Sequence, residues 1–132
     1  MAVDLNMFDD WNGKKKQLQA ARPKALFKEG QIWWCSLGIN IGEEVLGKGK
    51  MYRRPVIIIR KITHTSCVVV PTTTQTKHGS WYYPFEANNL KRWAMLHQIR
   101  FISSKRLHNR ESSLYDSELK SLKKAVKKFY GL

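Results

Sequence analysis

The residues of this chain best suited to chemistry are two arginines ahead of a proline and a run of threonines after one. Arg53-Arg54-Pro55 precedes the most apolar stretch, Val56-Ile57-Ile58-Ile59, and Val70-Pro71-Thr72-Thr73-Thr74-Gln75 closes the next apolar run. An arginine is a permanent cation whose planar fork of donors fits phosphate oxygens. A threonine hydroxyl supplies one further donor. Taken singly, neither is diagnostic. Arg54 also reads as a solvated charge before a buried strand, and Thr73 as an ordinary β-branched strand residue with Thr72 and Thr74 equally available.

The overall charge says what such groups would meet. Lys and Arg number 24 against 10 Asp and Glu, a net +14 on 132 residues. Solubility of a small domain needs only about 2 to 8 net charges, so the surplus points to a polyanion. A membrane surface would call for one amphipathic basic helix, whereas here the charge is spread along the chain. Nucleic acid is the expected partner. Four scattered histidines and two cysteines, Cys35 and Cys67, lack metal-ligand spacing, so no metal or other cofactor is expected. Both cysteines sit in apolar runs and read as buried free thiols. No apolar run approaches the roughly 20 residues of a bilayer span. Residues Met1 to Asp10 carry acids and no signal-like core. A cytoplasmic protein without membrane contact is expected.

The elements that must position the chemistry follow from periodicity. Leu5, Phe8, Trp11 and Leu18 recur near helical spacing, and Arg22-Pro23 ends that helix, read as an N-terminal extension over residues 1–27. Five strands are expected next: Gln31 to Leu37, Pro55 to Ile59, Cys67 to Pro71, Trp81 to Phe85 and Ala94 to Ile102. Turns are expected at Thr63-His64-Thr65-Ser66 and around Lys77-His78-Gly79. Pro55 is placed first in its strand, where proline is tolerated. Leu119, Leu122, Val126 and Phe129 then mark one face of a C-terminal helix over about 113–130, with Ser113 and Asp116 at capping-box spacing. Short strands without intervening helices argue a small antiparallel barrel over about 28–107. The fold class is therefore α+β, mainly β, in one domain spanning 28–132.

Five motifs occur in order: Gly30-Gln31-Ile32-Trp33-Trp34, Gly42-Glu43-Glu44, Arg53-Arg54-Pro55, Val70-Pro71-Thr72-Thr73-Thr74-Gln75, and Gln98-Ile99-Arg100 followed by Lys105-Arg106-Leu107. The succession resembles the PemK/MazF family of toxins of type II toxin–antitoxin systems, over about Lys28 to Leu107. What the resemblance implies is an SH3-like barrel of the CcdB/PemK/MazF type, acting as a homodimer. It also implies a metal-independent endoribonuclease that cuts single-stranded RNA at short sequences through attack of the 2′-OH. The products would be 2′,3′-cyclic phosphate and 5′-hydroxyl ends. The partners it implies are single-stranded RNA and a cognate acidic antitoxin protein.

Carried over position by position, the family's catalytic arginine matches Arg54 and its catalytic threonine matches Thr73. Glu44 matches the acidic loop residue, and Gln98 the strand glutamine that contacts RNA or holds the loop. His97 stands where some relatives carry an Asp for proton transfer, and it reads equally as a neutral barrel residue. Glu43 stands where some relatives use a histidine, so that chemistry does not transfer. The loop from Gly42 to Arg54 is longer than in compact members and adds Lys48 and Lys50 as possible RNA contacts. Trp33, Trp34, Trp81 and Trp93 offer stacking faces or, more ordinarily, core and dimer contacts. Two rivals share the fold class. One is a CcdB-like poison of DNA gyrase, hinted at by the ending Tyr130-Gly131-Leu132 against the Trp-Gly-Ile of that group. The other is a non-catalytic RNA-binding barrel, which would have no use for Arg54 and Thr73 together.

Overall fold

A computed structural model describes residues 4–38, 47 and 52–132. Glu44, Lys48 and Lys50, with the Gly42-Glu43-Glu44 motif, lie outside these residues. Helix α1 (Asn6–Ala20) is followed by seven strands and the closing helix α2 (Asp116–Tyr130). The strands are β1 (Gln31–Ser36), β2 (Arg53–Thr63), β3 (Ser66–Thr73), β4 (Tyr82–Ala87), β5 (Leu90–Met95), β6 (Arg100–Ser103) and β7 (Leu107–Ser113). Every pairing is antiparallel, in the order β4-β5-β3-β2-β1-β7, with β6 also pairing to β3. No helix among the described residues is long and apolar enough to cross a membrane.

The central strand β2 explains its own sequence. Successive strand residues face opposite sides. Val56 and Ile58 enter one core cluster with Phe27, Cys35, Leu37, Cys67, Val69, Ile102 and Leu107. Ile57 and Ile59 enter a second with Ile32, Val70, Ala94, Leu96 and Leu122. A strand buried on both faces must be apolar throughout, hence the unbroken run. Helix α2 covers the second cluster through Leu122, fully buried, with Ala125, Val126 and Phe129 packed alongside. Cys35 and Cys67 are free and buried, and burial pushes their thiols up to about 12 and about 11.

Several elements differ from the sequence reading. The expected strand Ala94–Ile102 is split by a 3₁₀ turn, Leu96–Gln98. Both β5 and β6 pair with the same edge of β3, at Thr72–Thr73 and at Ser66–Val69, so the chain must step along β3 between them. Gln98 therefore lies on a turn. Strand β7, rich in polar residues, continues where the barrel was expected to end. It is an edge strand paired only with β1, a place where polar side chains are at home. Strand β5 starts at Leu90, ahead of the expected Ala94, and is joined to β4 by Asn88 and Asn89, both at positive φ (52° and 57°), the requirement of a tight hairpin turn. Pro55 is the third residue of β2, not the first.

The termini differ in detail too. Helix α2 is capped by Glu118, whose carboxylate accepts the Tyr115 N–H at 3.0 Å. The Ser113/Asp116 spacing is not used, because Ser113 closes β7 and the helix begins only at Asp116. Gly131, at φ 73°, ends α2 in the left-handed conformation, with Leu132 N–H reaching back to Lys127 O at 2.9 Å. The Tyr-Gly-Leu ending is thus accounted for as a helix stop. In α1 only Trp11 is fully buried, against Tyr52, with Met7 and Leu18 beside it, while Leu5 is exposed. Gly38 makes that seat possible: a Cβ there would fall 1.8 Å from the Trp11 ring.

Leu122 is the anchor of α2, so Leu122→Ala should destabilise the protein by about 2–5 kcal/mol, the range for emptying a buried leucine site. The exposed Lys124→Ala should stay within about 0.5 kcal/mol. Urea unfolding followed by circular dichroism measures both.

Candidate active site

Arg54 and Thr73, distant in sequence, line one cavity because a strand ladder stops. The β2–β3 register ends at the pair Val56–Pro71. Pro55 and Pro71 carry no N–H, so backbone carbonyls next to them are left for side chains to claim. Thr72 Oγ1 donates to the Pro55 carbonyl at 2.9 Å. Arg54 Nη1 donates to the Thr72 carbonyl at 3.1 Å. These two bonds hold the Arg54 guanidinium at the end of β3, the strand that Thr73 closes. Burial draws the pKa of Arg54 down from its ordinary value through lost hydration.

The threonines are no longer equivalent. The Thr72 hydroxyl proton is committed to Pro55 and the residue is 1% exposed. Thr74 is exposed. Thr73 Oγ1 accepts the Gln75 N–H at 3.2 Å, which fixes the hydroxyl and leaves its proton available to a ligand.

A cavity of about 710 Å³ opens here, lined by Trp34, Arg53, Arg54, Pro55, Thr72, Thr73, Thr74, Leu90, Arg92, Asn109 and Glu111. The volume is of the order that holds a drug-sized ligand. Trp34, Pro55 and Leu90 supply apolar surface to it. Arg92 and Glu111 form a bidentate ion pair, Nη1 to Oε2 and Nη2 to Oε1 both at 2.7 Å, with side chains 3% and 16% exposed. Arg92 also donates to the Ala87 carbonyl, and Ser112 Oγ donates to Glu111. This pair joins β5 to β7, strands separated in the sheet by β3, β2 and β1. It therefore braces the curled sheet across the cavity. Removing one partner of such a pair strands a buried charge, a loss of about 3–5 kcal/mol.

The other expected site residues lie elsewhere. His97 and Gln98 sit on the 3₁₀ turn and do not line the cavity. The His97 ring packs edge-on against Trp81 and Tyr82, with centroids 5.6 and 5.4 Å away. Trp93 is buried in the sheet, whereas Trp81 is 53% exposed.

Sequence reasoning missed Arg92, Glu111 and His108, and it placed Arg53 in a motif without giving it a role of its own. Each of the four acquires its partner across strands. His108 Nε2 lies against Ser36 Oγ, and its Nδ1 is 3.3 Å from Arg53 Nη2. Burial first, then the charges of Arg53 and Lys24, push its pKa down to about 4. The imidazole is neutral at pH 7. Arginine only donates, so Nδ1 is the acceptor and Nε2 carries the proton, donated to Ser36. Among the described residues no three His, Cys, Asp or Glu side chains gather as metal ligands.

Comparison with known proteins bears on the fold and the family. No curated protein matches the chain significantly in sequence. Among solved structures it is similar to an endoribonuclease in complex with its cognate antitoxin from a mycobacterial species. That likeness has a TM-score of 0.59 and 15% identity, covering 85% of this chain and 97% of the other. It is also similar to the Mycobacterium tuberculosis toxin MazF-mt6, with TM-score 0.58, 18% identity, and 77% and 97% of the two chains covered. MazF from Deinococcus radiodurans gives TM-score 0.61 and 13% identity over 80% and 97%. At such identities these likenesses speak for the fold. The sequence itself, over residues 28–130, matches the family described as PemK-like, MazF-like toxin of type II toxin-antitoxin system. This chain belongs to that toxin family.

Proposed function

We propose that the chain is a metal-independent endoribonuclease that cuts single-stranded RNA at the cavity holding Arg54 and Thr73. The observation that carries the reading is the bond from Arg54 Nη1 to the Thr72 carbonyl, which sets a fixed guanidinium beside a hydroxyl with a proton to give. In the proposed reaction the RNA 2′-oxygen attacks the adjacent phosphorus and the bond from phosphorus to the 5′-oxygen breaks. The 2′-OH proton passes to water and the departing 5′-oxygen takes one up. The products are a 2′,3′-cyclic phosphate and a 5′-hydroxyl. Arg54 neutralises charge growing on the phosphoryl oxygens, and Thr73 donates to the same oxygens. The apolar wall at Trp34 and Leu90 suits a base or ribose next to the cut phosphate.

The net charge of +14 supports two polyanionic partners, RNA and an acidic antitoxin protein. A similar fold solved with its cognate antitoxin is consistent with the second. We further propose a two-fold homodimer, the commonest closed arrangement for a single chain, working in the cytoplasm. Residues 1–27 would be an extension to the toxin domain of 28–132. Glu44, Lys48, Lys50, His97 and Gln98 remain candidates for RNA contact outside the cavity just described.

If Arg54 meets charge that exists only in the transition state, Arg54→Ala should lower kcat about 10²–10³-fold, with little change in the Kd for uncleaved RNA. Thr73→Val keeps the strand shape and removes the donor, so it should act in the same direction, less severely. Single-turnover cleavage beside fluorescence anisotropy separates the two quantities. Equal losses of rate and affinity in Arg54→Ala, with none in Thr73→Val, would reduce Arg54 to a phosphate-binding residue.

Cleavage should also persist in excess EDTA and leave a 5′-hydroxyl on the downstream fragment, readable by kinase labelling without prior phosphatase treatment. Activity abolished by EDTA and restored by magnesium would overturn the metal-independent mechanism.

A further inference from the structure

Arg53 is the neighbour of Arg54 on β2, yet it is held by a different device. Strand neighbours face opposite ways, and both nevertheless line the cavity. The pairing of Arg53 with Ser36 in the β1–β2 register brings it to the β1–β7 side. There His108 of β7 bridges the two, with Nδ1 accepting from Arg53 Nη2 at 3.3 Å and Nε2 donating to Ser36 Oγ. Arg106 donates to the Ser36 carbonyl at 3.1 Å, so the far end of the bridge is itself anchored. The buried Nε of Arg53 has no hydrogen-bond partner. Neither ion pair among the described residues involves Arg53, since Arg92 takes Glu111 and Lys123 takes Glu29. A half-buried cation with spare donors, no carboxylate and one neutral acceptor is arranged to receive an anion from the cavity.

We propose that Arg53 is a second phosphate-binding residue of the cavity, and that His108 is the positioning residue that aims it. The proposal rests on RNA as the ligand and adds a second backbone phosphate, next to the one that Arg54 and Thr73 address. A neutral imidazole suits the task because a carboxylate in its place would cancel the charge that attracts the phosphate. The bridge also sets a pH limit. The charged groups facing His108 are Arg53 and Lys24, and both oppose its protonation. Above its pKa of about 4 the acceptor is present. As pH falls through that value, Nδ1 gains a proton, the bond to Arg53 is lost and two cations are left face to face.

The test uses the full-length protein and an all-2′-deoxy oligonucleotide, which has phosphates but no 2′-OH and cannot be cut. Arg53→Met should weaken its binding about tenfold, the scale of one charged hydrogen-bonding contact, and reduce the salt slope of log K by about one phosphate. His108→Phe keeps bulk and removes the acceptor. It should weaken binding in the same direction, and the double variant should be no worse than Arg53→Met alone. His108→Asn offers an oxygen near the Nδ1 position and should recover most of the His108→Phe loss. On cleavable RNA, Arg53→Met should raise KM more than it lowers kcat, opposite to Arg54→Ala.

An unchanged Kd and salt slope in Arg53→Met would overturn the assignment of Arg53. Additive losses in the double variant, or His108→Asn as poor as His108→Phe, would overturn the positioning role. Thermal melting of each variant shows whether His108→Phe has merely unfolded, and Arg53→Met then still decides the first point. A wild-type protein that binds the oligonucleotide through Arg53 but cuts no RNA would sink the nuclease reading and leave this phosphate site standing.

Discussion

The site depends on the point at which β2 and β3 stop pairing. A regular ladder would have used every carbonyl around Thr72 for backbone hydrogen bonds, and no side chain could have entered. Pro71 in the last pair and Pro55 just beyond it remove the donors. The unclaimed carbonyls then take Thr72 Oγ1 and Arg54 Nη1. A defect in the sheet becomes the fixture for a cation. Three consecutive threonines thus line the cavity in three ways: Thr72 gives its proton to Pro55, Thr73 holds the Gln75 N–H and keeps its own, and Thr74 is exposed.

A fixture of that kind works only inside a rigid frame, and β2 supplies it. Its alternate residues are packed into cores on both faces, so the strand cannot slide by one residue without exchanging the two sets of contacts. Register along β2 therefore fixes where Arg53 and Arg54 emerge. The Arg92–Glu111 pair holds the distant strands β5 and β7 across the cavity, which keeps the curl of the sheet from opening. It also spends the cavity's described carboxylate on Arg92, so Arg53 is not neutralised from within. The result is a confined volume with positive potential and apolar walls. Phosphate and base are recognised by those two features respectively.

The outer parts of the fold serve this frame. Helix α2 closes the second core through Leu122 and presents lysines outward, adding basic surface without disturbing the site. Helix α1 is attached more lightly, through Trp11 seated over Gly38 and against Tyr52, with Arg106 over the indole at 5.7 Å. Arg106 thus touches both the α1 anchor and, through Ser36, the bridge that ends on Arg53.

The amino-acid sequence by itself determined what depends on local pattern and composition. The unbroken Val56–Ile59 run marks the central strand, the Leu119/Leu122/Val126/Phe129 spacing marks α2, and +14 marks a polyanion partner. Ordered short motifs were enough to identify the toxin family and to single out Arg54 and Thr73. Tertiary structure decided everything that rests on partners from other strands. Polar β7 became a strand because β1 offered it a ladder, and Ala94–Ile102 broke into two because both halves pair with one edge of β3. Arg92, Glu111 and His108 carried no signal in one dimension, and Arg53 showed only as part of a motif, since a buried ion pair or a histidine bridge exists only once the strands lie side by side. Which threonine keeps its proton was likewise invisible, because that choice is made by a carbonyl freed at a proline on another strand.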